Sequence, residues 1–206
     1  MFKNRYAIES LSHSTARDLI VKYHYLHRQA PCSFSFAMRD MVNNEIVGCV
    51  LYGTPSSAPL RRGICGDEEK NNVIELTRLW IRDDVPRNAE SFLISHTVGL
   101  VDKEIVVSFA DPTVGHCGYI YQAVNWIYTG LSAKRTNWTV EGMEKHCQTI
   151  ADKYTSKELR EKFGDKFSLK DRPRKHRYVF FNCNKKRKKE LMKKLNYPIL
   201  PYPKIK

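Results

Sequence analysis

Residues 105–130, IVVSFADPTVGHCGYIYQAVNWIYTG, determine the fold class that the sequence predicts. The apolar run from Ile105 to Ala110 is rich in β-branched residues and predicts a buried strand, which Asp111 and Pro112 end. Gly115 opens a segment with apolar residues at helical spacing, and a second short strand is predicted over residues 127–131. Because ligands of α/β folds sit at the carboxyl ends of strands, we expect the chemistry of this protein beside Asp111.

The length and composition predict one domain. A chain of 206 residues with 42% hydrophobic content can build one sizeable core over residues 1–206, with residues 170–206 as a basic strand-helix extension within it. The apolar runs are too short to span a bilayer, and MFKNRYAIES does not resemble a signal peptide. Six cysteines without a C-x-x-C pair favour a reduced compartment. We therefore expect a cytoplasmic protein that does not act in a membrane.

The positive charge is concentrated at the C-terminal end of the chain. Residues 170–206 hold 14 Lys and Arg against two acids, whereas the rest of the chain holds 21 against 20. Such a distribution is typical of proteins that bind a polyanion, and we expect nucleic acid. A solubilising tail or an RNA-binding extension are the alternatives. The candidate phosphate contacts are Arg174, Lys175, Arg177, Lys185, Lys186 and Arg187.

The remaining segments predict a mixed sheet with helices. Capping residues and apolar spacing predict a helix from Ser14 to about Tyr25, and alternation predicts an antiparallel hairpin over residues 33–53. A loop over residues 54–72 precedes a strand from Val73 to Ile81, in which Ile74, Leu76 and Arg78 are expected to face the same way. A helix follows over residues 89–101. The later segments are predicted as a strand extension (132–140), helices (143–154 and 156–164), a strand (172–181) and a basic helix (185–197).

The start of the helix at residues 89–101 is a candidate anion site. Its first turn has free backbone N–H groups, and Arg87, Asn88 and Ser91 lie beside them. Asn88 is also an ordinary residue at a helix start, so this pattern has a purely structural alternative. His24 and His27 lie three residues apart near the end of the first helix. They form either a functional polar cluster or a complement to the helix dipole.

Two stretches resemble a known family. VIELTRLWIRDDVPRNAESFLIS (73–95) and VSFADPTVGHCGYIYQAVNWIYTG (107–130) resemble the phage Mom family of DNA-modification proteins, and YHYLHR and KHRYVFF…PYPK fit the same resemblance. The order of elements is similar to that of a GCN5-related N-acetyltransferase (GNAT). This resemblance implies an α/β (mixed-sheet) GNAT-like fold whose fourth and fifth strands splay apart.

The resemblance also implies an activity. Members of the Mom family convert adenine in phage DNA to N6-carbamoylmethyladenine, which protects the DNA from host restriction. It implies acetyl-CoA as the donor and double-stranded DNA as the partner. Tyr121 would be a general acid and Asn125 would hold the pantetheine arm. PRNAES lacks the glycines of the GNAT phosphate loop, so Arg87, Asn88 and Ser91 would replace them.

The carbamoylmethyl product joins N6 to a CH₂ group, which simple acyl transfer does not do. A redox-active iron would supply a route, with His24, Tyr25 and Asp111 as its ligands and His27 and His116 in reserve. Without a metal, Asp111 would be a base or an adenine-orienting group and Ser108 a hydrogen-bonding helper. A flipped adenine would stack on Trp80 or Tyr52.

Two other functions fit the same residues. One is a GNAT-type acetyltransferase that acts on a protein or a small amine. The other is a non-catalytic nucleic-acid-binding protein that has kept the fold. The cationic C-terminal end argues against the first, and the polar residues around Asp111 argue against the second, because buried polar groups without a role are costly.

Overall fold

The structure, a computed structural model, describes residues 2–143, 150, 151 and 153–204. Seven strands form the central sheet: β1 (Tyr6–Ser10), β2 (Phe34–Asp40), β3 (Glu45–Gly53), β4 (Val73–Ile81), β5 (Ile105–Ala110), β6 (Ile127–Leu131) and β9 (His176–Phe181). Two further strands, β7 (Arg135–Val140) and β8 (Phe167–Arg172), pair with each other in a separate sheet. The order across the large sheet is β1-β2-β3-β4-β5-β9-β6, and only β4 and β5 pair in parallel. The predicted mixed α/β architecture is confirmed.

Helices cover both faces of this sheet. They are α1 (Phe2–Arg5), α2 (His13–Tyr23), α3 (Ala58–Cys65), α4 (Ala89–Thr97), α5 (Tyr119–Ala123), α6 (Ser156–Phe163) and α7 (Lys185–Lys194). On one face, α4 and α5 bury Leu93 and Tyr121 in the main core. On the other, α2 buries Ile20, while α3 and α7 bury Ile64 and Leu191. No helix in the described part of the chain is long and apolar enough to cross a membrane.

The parallel strands β4 and β5 part after a short paired segment. Their register runs only from Val73 opposite Ile105 to Glu75 opposite Val107, although β4 continues to Ile81. A bulge at Thr77 shifts the pairing with β3. The Thr77 hydroxyl donates to the carbonyls of Pro31 (3.0 Å) and Leu51 (3.2 Å). A bulge bends its strand and increases the local twist, so β4 turns away from β5. The predicted splay is confirmed.

Because of the bulge, the side chains at the end of β4 face the opposite way from the prediction. Ile74 and Leu76 face the main core, and Leu79 packs against that same core beyond the bulge. Trp80 instead packs with the cluster around α2. Because one extra residue inverts the alternation, Arg78 does not share a face with Leu76 as the sequence pattern predicted.

Several elements differ from the prediction. Strand β1 was not predicted, and residues 54–72 are not one loop because they contain α3 and a 3₁₀ turn, Asp67–Asn72. Residues 132–140 do not extend β6. They form β7, which belongs to the insert (residues 132–175) between β6 and β9, with Val140, Ile150 and Leu159 as its own small core. Most of the helix predicted at residues 143–154, including Cys147, lies outside the described residues.

Candidate active site where β4 and β5 part

A buried pair of hydroxyls bridges the parted strands. The Ser108 hydroxyl, on β5, donates to the Leu76 carbonyl of β4 at 2.9 Å and lies 2.7 Å from the Tyr121 hydroxyl. Tyr121 is buried on α5, where its ring lies 5.1 Å from that of Trp126 and 5.2 Å from that of Tyr178. Burial raises the pKa of Tyr121 to about 12, against the opposing effect of the Ser108 hydrogen bond. The phenol is therefore protonated at neutral pH and can donate a proton.

Two charged residues of β4, Glu75 and Arg78, lie beside the gap on the face of β4 turned away from the main core, and the sequence pattern indicated a role for neither. Glu75 is the last residue paired with β5, and in the described part of the chain its carboxylate makes no hydrogen bond. Burial raises the pKa of Glu75 to about 7, although the charges of Arg78 and Lys175 act to lower it. A carboxyl group with that pKa is suited to accept a proton at neutral pH. The sequence feature that could have indicated these residues is the presence of two charged side chains in a mostly apolar strand, VIELTRLWI.

Arg78 is anchored through backbone carbonyls. Its guanidinium donates to the Thr77 carbonyl (2.7 Å) and to the Gln29 carbonyl (3.5 Å). Its buried Nε has no partner among the described residues. An unpaired donor on a buried cation is costly, so Arg78 is a natural anchor for an anionic or carbonyl group of a ligand.

The segment after α2 brings His24 and Tyr25 over the gap between the strands. Their rings stack at 4.4 Å, and the Tyr25 ring meets that of His116 edge-on at 6.1 Å. Burial lowers the pKa of His24 to about 4, helped by the charge of Arg78. Burial raises the pKa of Tyr25, helped by the charge of Asp111. His24 and Tyr25 thus form one cluster with Asp111 and His116, a pair that lies more than 80 residues later in the sequence.

Asp111 lies at the carboxyl end of β5, as predicted. One carboxylate oxygen pairs with the Lys175 ammonium at 2.8 Å, and the other accepts from the Thr113 N–H (3.0 Å) and hydroxyl (2.6 Å). Burial acts to raise the pKa of Asp111, but the hydrogen bonds from Lys175 and Thr113 outweigh it and hold the pKa below its usual value. Asp111 is therefore an ionised acceptor held in a fixed orientation.

The predicted iron site does not fit these residues. His24 is neutral, and its Nδ1 accepts from the Leu26 N–H at 3.1 Å, so its proton is on Nε2. The Asp111 carboxylate is already paired with the Lys175 ammonium at 2.8 Å. No group of three or more His, Cys, Asp or Glu side chains could hold a metal ion within the residues that the structure describes. We derive no step through iron.

The chain enters α4 through a left-handed turn that contains no glycine. Asn88 caps the helix with a φ of 73°, a left-handed conformation that asparagine tolerates better than other non-glycine residues. The Asn88 side chain makes no capping bond, and the Ser91 hydroxyl donates to the Asn88 carbonyl at 3.0 Å. Arg87 is exposed beside this turn, and Glu90 places one acid in the first turn of the helix.

Asn125 lies beyond the end of the helix that follows Gly115. Helix α5 ends at Ala123, and Asn125 lies in the turn before β6 with a φ of 58°. Its backbone N–H donates to the Gln122 carbonyl at 3.0 Å, while the residue is exposed. This position is one that asparagine favours for its backbone conformation alone.

The two aromatic candidates for stacking a base lie elsewhere. Tyr52 is fully buried and its hydroxyl lies 2.8 Å from that of Thr97, so this prediction is wrong. Trp80 stacks on Tyr23 at 4.7 Å on the outer side of α2. Tyr25, which is 47% exposed, is the aromatic side chain that the cleft presents to solvent.

Three of the predicted DNA contacts cluster at the base of the insert. Lys175 pairs with Asp111, and the Arg174 guanidinium donates to the Ser132 carbonyl at 2.5 Å. Arg177 is buried, donates to the hydroxyl and carbonyl of Thr129 (both 2.9 Å) and stacks 3.4 Å from the Tyr197 ring. Arg177 is therefore held within the protein and cannot reach a phosphate.

The other three lie on α7, at the opposite end of β5. Lys185 and Lys186 are exposed, but Arg187 pairs with Glu104 (2.9 Å) and Glu69 (2.7 Å). Glu104 immediately precedes β5, whereas Asp111 immediately follows it. The lysine-rich helix and the candidate active site are thus separated by the length of that strand, about 20 Å.

Comparisons with known proteins give one curated relative, several distant solved structures and one family. Methylcarbamoylase mom of Escherichia phage Mu is 28% identical over 204 residues, which covers 96% of this chain and 83% of that protein. Among solved structures, ribosomal-protein-S5-alanine acetyltransferase from Vibrio fischeri is 10% identical (TM-score 0.48, 87% of this chain and 94% of that one). A Bacillus subtilis acetyltransferase in complex with CoA is 9% identical (TM-score 0.41, 86% and 97%). Residues 5–204 match the Mom protein family, and the chain therefore belongs to that family.

Proposed function

We propose that the protein is a transferase that modifies the exocyclic amino group of adenine in double-stranded DNA, with acetyl-CoA as donor. One observation carries the proposal. Tyr121, Glu75 and Asp111 all border the gap where β4 and β5 part: Tyr121 lies against Ser108 of β5, Glu75 is the last residue of β4 paired with β5, and Asp111 follows the end of β5. The phage Mu relative, named a methylcarbamoylase, supports the same reaction class. In phage-infected cells the reaction would take place in the host cytoplasm and shield the DNA from restriction.

The residues on the α4 and α5 face fit acetyl-CoA. The parted strands leave space between β4 and β5 that no strand fills, and the left-handed turn at Asn88 leaves the first N–H groups of α4 without a side-chain cap. Arg87 and Ser91 would assist these groups at the pyrophosphate, and Asn125 would lie beside the pantetheine arm. When bound, acetyl-CoA would supply a thioester whose carbonyl accepts a nucleophile and whose thiolate departs.

The side chains at the gap divide the proton transfers between them. Because the Ser108 hydroxyl donates to the Leu76 carbonyl, the Tyr121 phenol donates to Ser108 in the free protein, and on substrate binding it can turn that proton to the departing sulfur. Glu75 can accept a proton from the attacking amine. The ionised Asp111 can accept a hydrogen bond from an exocyclic N–H and so orient the base.

An adenine in a duplex must be flipped out to reach this cleft. Asp111, His116 and Tyr25 border the cleft on the side away from α4 and α5, and Tyr25 offers an exposed ring for stacking. We propose N6-carbamoylmethyladenine as the product, because that is what membership of the Mom family implies. Acetyl transfer alone joins N6 to the carbonyl carbon and gives N6-acetyladenine, and the side chains at the gap account for this acyl transfer only. The carbamoylmethyl product joins N6 to the CH₂ carbon and carries one more NH, so it requires a co-substrate that supplies the amide nitrogen and an acceptor for two electrons.

Mass spectrometry of nucleosides from plasmid DNA of expressing cells tests the proposal. The wild-type protein should produce a modified deoxyadenosine whose mass distinguishes the carbamoylmethyl from the acetyl group. Asp111→Ala and Tyr121→Phe should abolish it, whereas the control Asp165→Ala, at an exposed carboxylate of the insert, should not. Unmodified DNA from soluble, folded wild-type protein would refute the proposed function.

A further inference from the structure

The two-stranded ribbon, β7 and β8, has two faces of different chemistry. Six residue pairs are in antiparallel register, from Arg135 opposite Arg172 to Val140 opposite Phe167. Directly opposed residues of an antiparallel pair point to the same side, and successive pairs alternate sides. Val140, Trp138 and Phe167 belong to the small core of the insert, which defines the inner face.

The other face carries only polar and cationic side chains. Its three cross-strand pairs are Arg135 with Arg172, Asn137 with Lys170, and Thr139 with Ser168. Arg135, Lys170 and Arg172 are exposed. Hydroxyl, amide and cationic groups of this kind are those that contact DNA phosphates and base edges. The outer face of the ribbon is thus chemically complementary to a nucleic acid.

The pairing of Arg135 with Arg172 is unfavourable unless an anion neutralises it. Like charges directly opposite each other destabilise a ribbon. In the described part of the chain, the Arg135 guanidinium donates one hydrogen bond, to the Ser57 hydroxyl (3.1 Å), and none of Arg135, Lys170 and Arg172 forms an ion pair. Asp171 cannot help, because it is paired with Thr136 on the inner face. By contrast, Arg187 and Lys194 of α7 are neutralised by acids of the protein.

The base of the ribbon is attached to the candidate active site. The Ser132 N–H donates to the Lys175 carbonyl (2.8 Å), and the Lys175 N–H donates to the Ser132 hydroxyl (2.9 Å). The ammonium of the same Lys175 holds Asp111 at 2.8 Å. A duplex lying on the ribbon would therefore be held next to the cleft that the proposed function assigns to the flipped adenine.

We propose that the outer face of the β7–β8 ribbon is the surface that binds duplex DNA and presents it to the cleft. A two-stranded ribbon fits the major groove. Six pairs span about 20 Å, or roughly six base pairs. The inference rests on the proposed function for its choice of partner, and it places the DNA on the insert instead of on the lysine-rich α7.

Duplex binding by the full-length chain tests this inference without acetyl-CoA, so that it does not depend on the chemistry. The variant Arg135→Ala/Arg172→Ala should weaken binding of a 20-base-pair duplex at least about tenfold near 0.1 M salt. It should also lower the slope of log K against log salt by about 2. The matched control, Lys188→Ala/Lys189→Ala on α7, removes the same charge and should change affinity less than about threefold.

Thermal unfolding of each variant without DNA shows whether a loss of binding comes from a loss of folding. Without DNA, the arginine variant should be at least as stable as the wild type, because a like-charge pair has been removed. Equal weakening by both double variants, or an unchanged salt slope in the arginine variant, would overturn the inference. So would preference for an RNA duplex of the same sequence. Ribbon-dependent duplex binding without modified adenine would refute only the proposed function. Full modification by the arginine variant with wild-type affinity would refute only the ribbon inference.

Discussion

Glu75→Gln tests both the stability and the chemistry of the cleft. The substitution keeps the shape of the side chain but removes its titration. Burial raises the pKa of Glu75 to about 7 from an ordinary value of 4.5. A pKa difference of one corresponds to about 1.4 kcal/mol. At low pH the proton bound to Glu75 should therefore contribute about 3 kcal/mol to the free energy of unfolding. A raised pKa means that the folded state binds the proton more tightly. This stabilisation is fully present below about pH 4.5 and is lost as the pH rises through about 7.

Urea unfolding of both proteins at several pH values between about 4.5 and 8 measures the effect. The free energy of unfolding of the wild type should fall relative to that of Glu75→Gln by about 3 kcal/mol across this range. The control Glu141→Gln, at an exposed carboxylate, should run parallel to the wild type. Parallel curves for Glu75→Gln would refute the claim that the carboxyl group is buried with a raised pKa.

The same variant has a kinetic consequence. If Glu75 accepts the proton of the attacking amine, Glu75→Gln should reduce adenine modification at least about 100-fold. The limb of the pH–rate profile near pH 7 should disappear with it. A variant that keeps this limb and more than about a tenth of the activity would show that another group is the base.

Substitutions at four further residues separate structural from chemical roles. Tyr121→Phe should cost about 1 kcal/mol of stability, because Ser108 keeps its bond to a backbone carbonyl, yet reduce modification at least about 100-fold. Tyr178→Phe loses its hydrogen bond to the Cys117 carbonyl, so it should lower the stability in urea unfolding by a similar amount but keep the activity. Equal losses of activity in the two variants would contradict the role of Tyr121 as the proton donor. Arg177→Ala should lower the free energy of unfolding by about 3 kcal/mol and leave the salt dependence of duplex binding unchanged. A weaker salt dependence at unchanged stability would show that Arg177 contacts a phosphate. In calorimetry, Asn88→Gly should bind CoA like the wild type, because glycine adopts the left-handed conformation of this position. Asn88→Ala is strained there by about 1–2 kcal/mol and should bind CoA more weakly. Identical binding by both variants would exclude this turn from the site.

The sequence predicted the parts of the fold that depend on local pattern. The bounds of β4, β5 and β6 agree with the predicted strands, because β-branched apolar runs ended by polar turns leave little choice of structure. The location of Asp111 at a strand end followed from the same pattern. The gap between β4 and β5 was implied by the family resemblance, since no local signal separates a paired strand from a parted one.

The features that the sequence did not predict depend on distant partners. The bulge at Thr77 requires the Pro31 carbonyl, and the burial of Arg177 requires Thr129 and Tyr197. A run of basic residues has the same composition whether its members point to solvent or pair with acids of the protein. Net charge therefore indicated a polyanion but placed three of its six candidate contacts on α7, where Arg187 is neutralised by Glu69 and Glu104.

Hydrogen–deuterium exchange with CoA and duplex DNA added separately tests most directly whether the parted strands receive two substrates from opposite sides. CoA should slow exchange at residues 86–91 and along the open edge of β5. The duplex should slow exchange in β7, β8 and residues 111–116 while leaving α7 unchanged. Protection of α7 by the duplex, or no protection of residues 86–91 by CoA, would contradict the account.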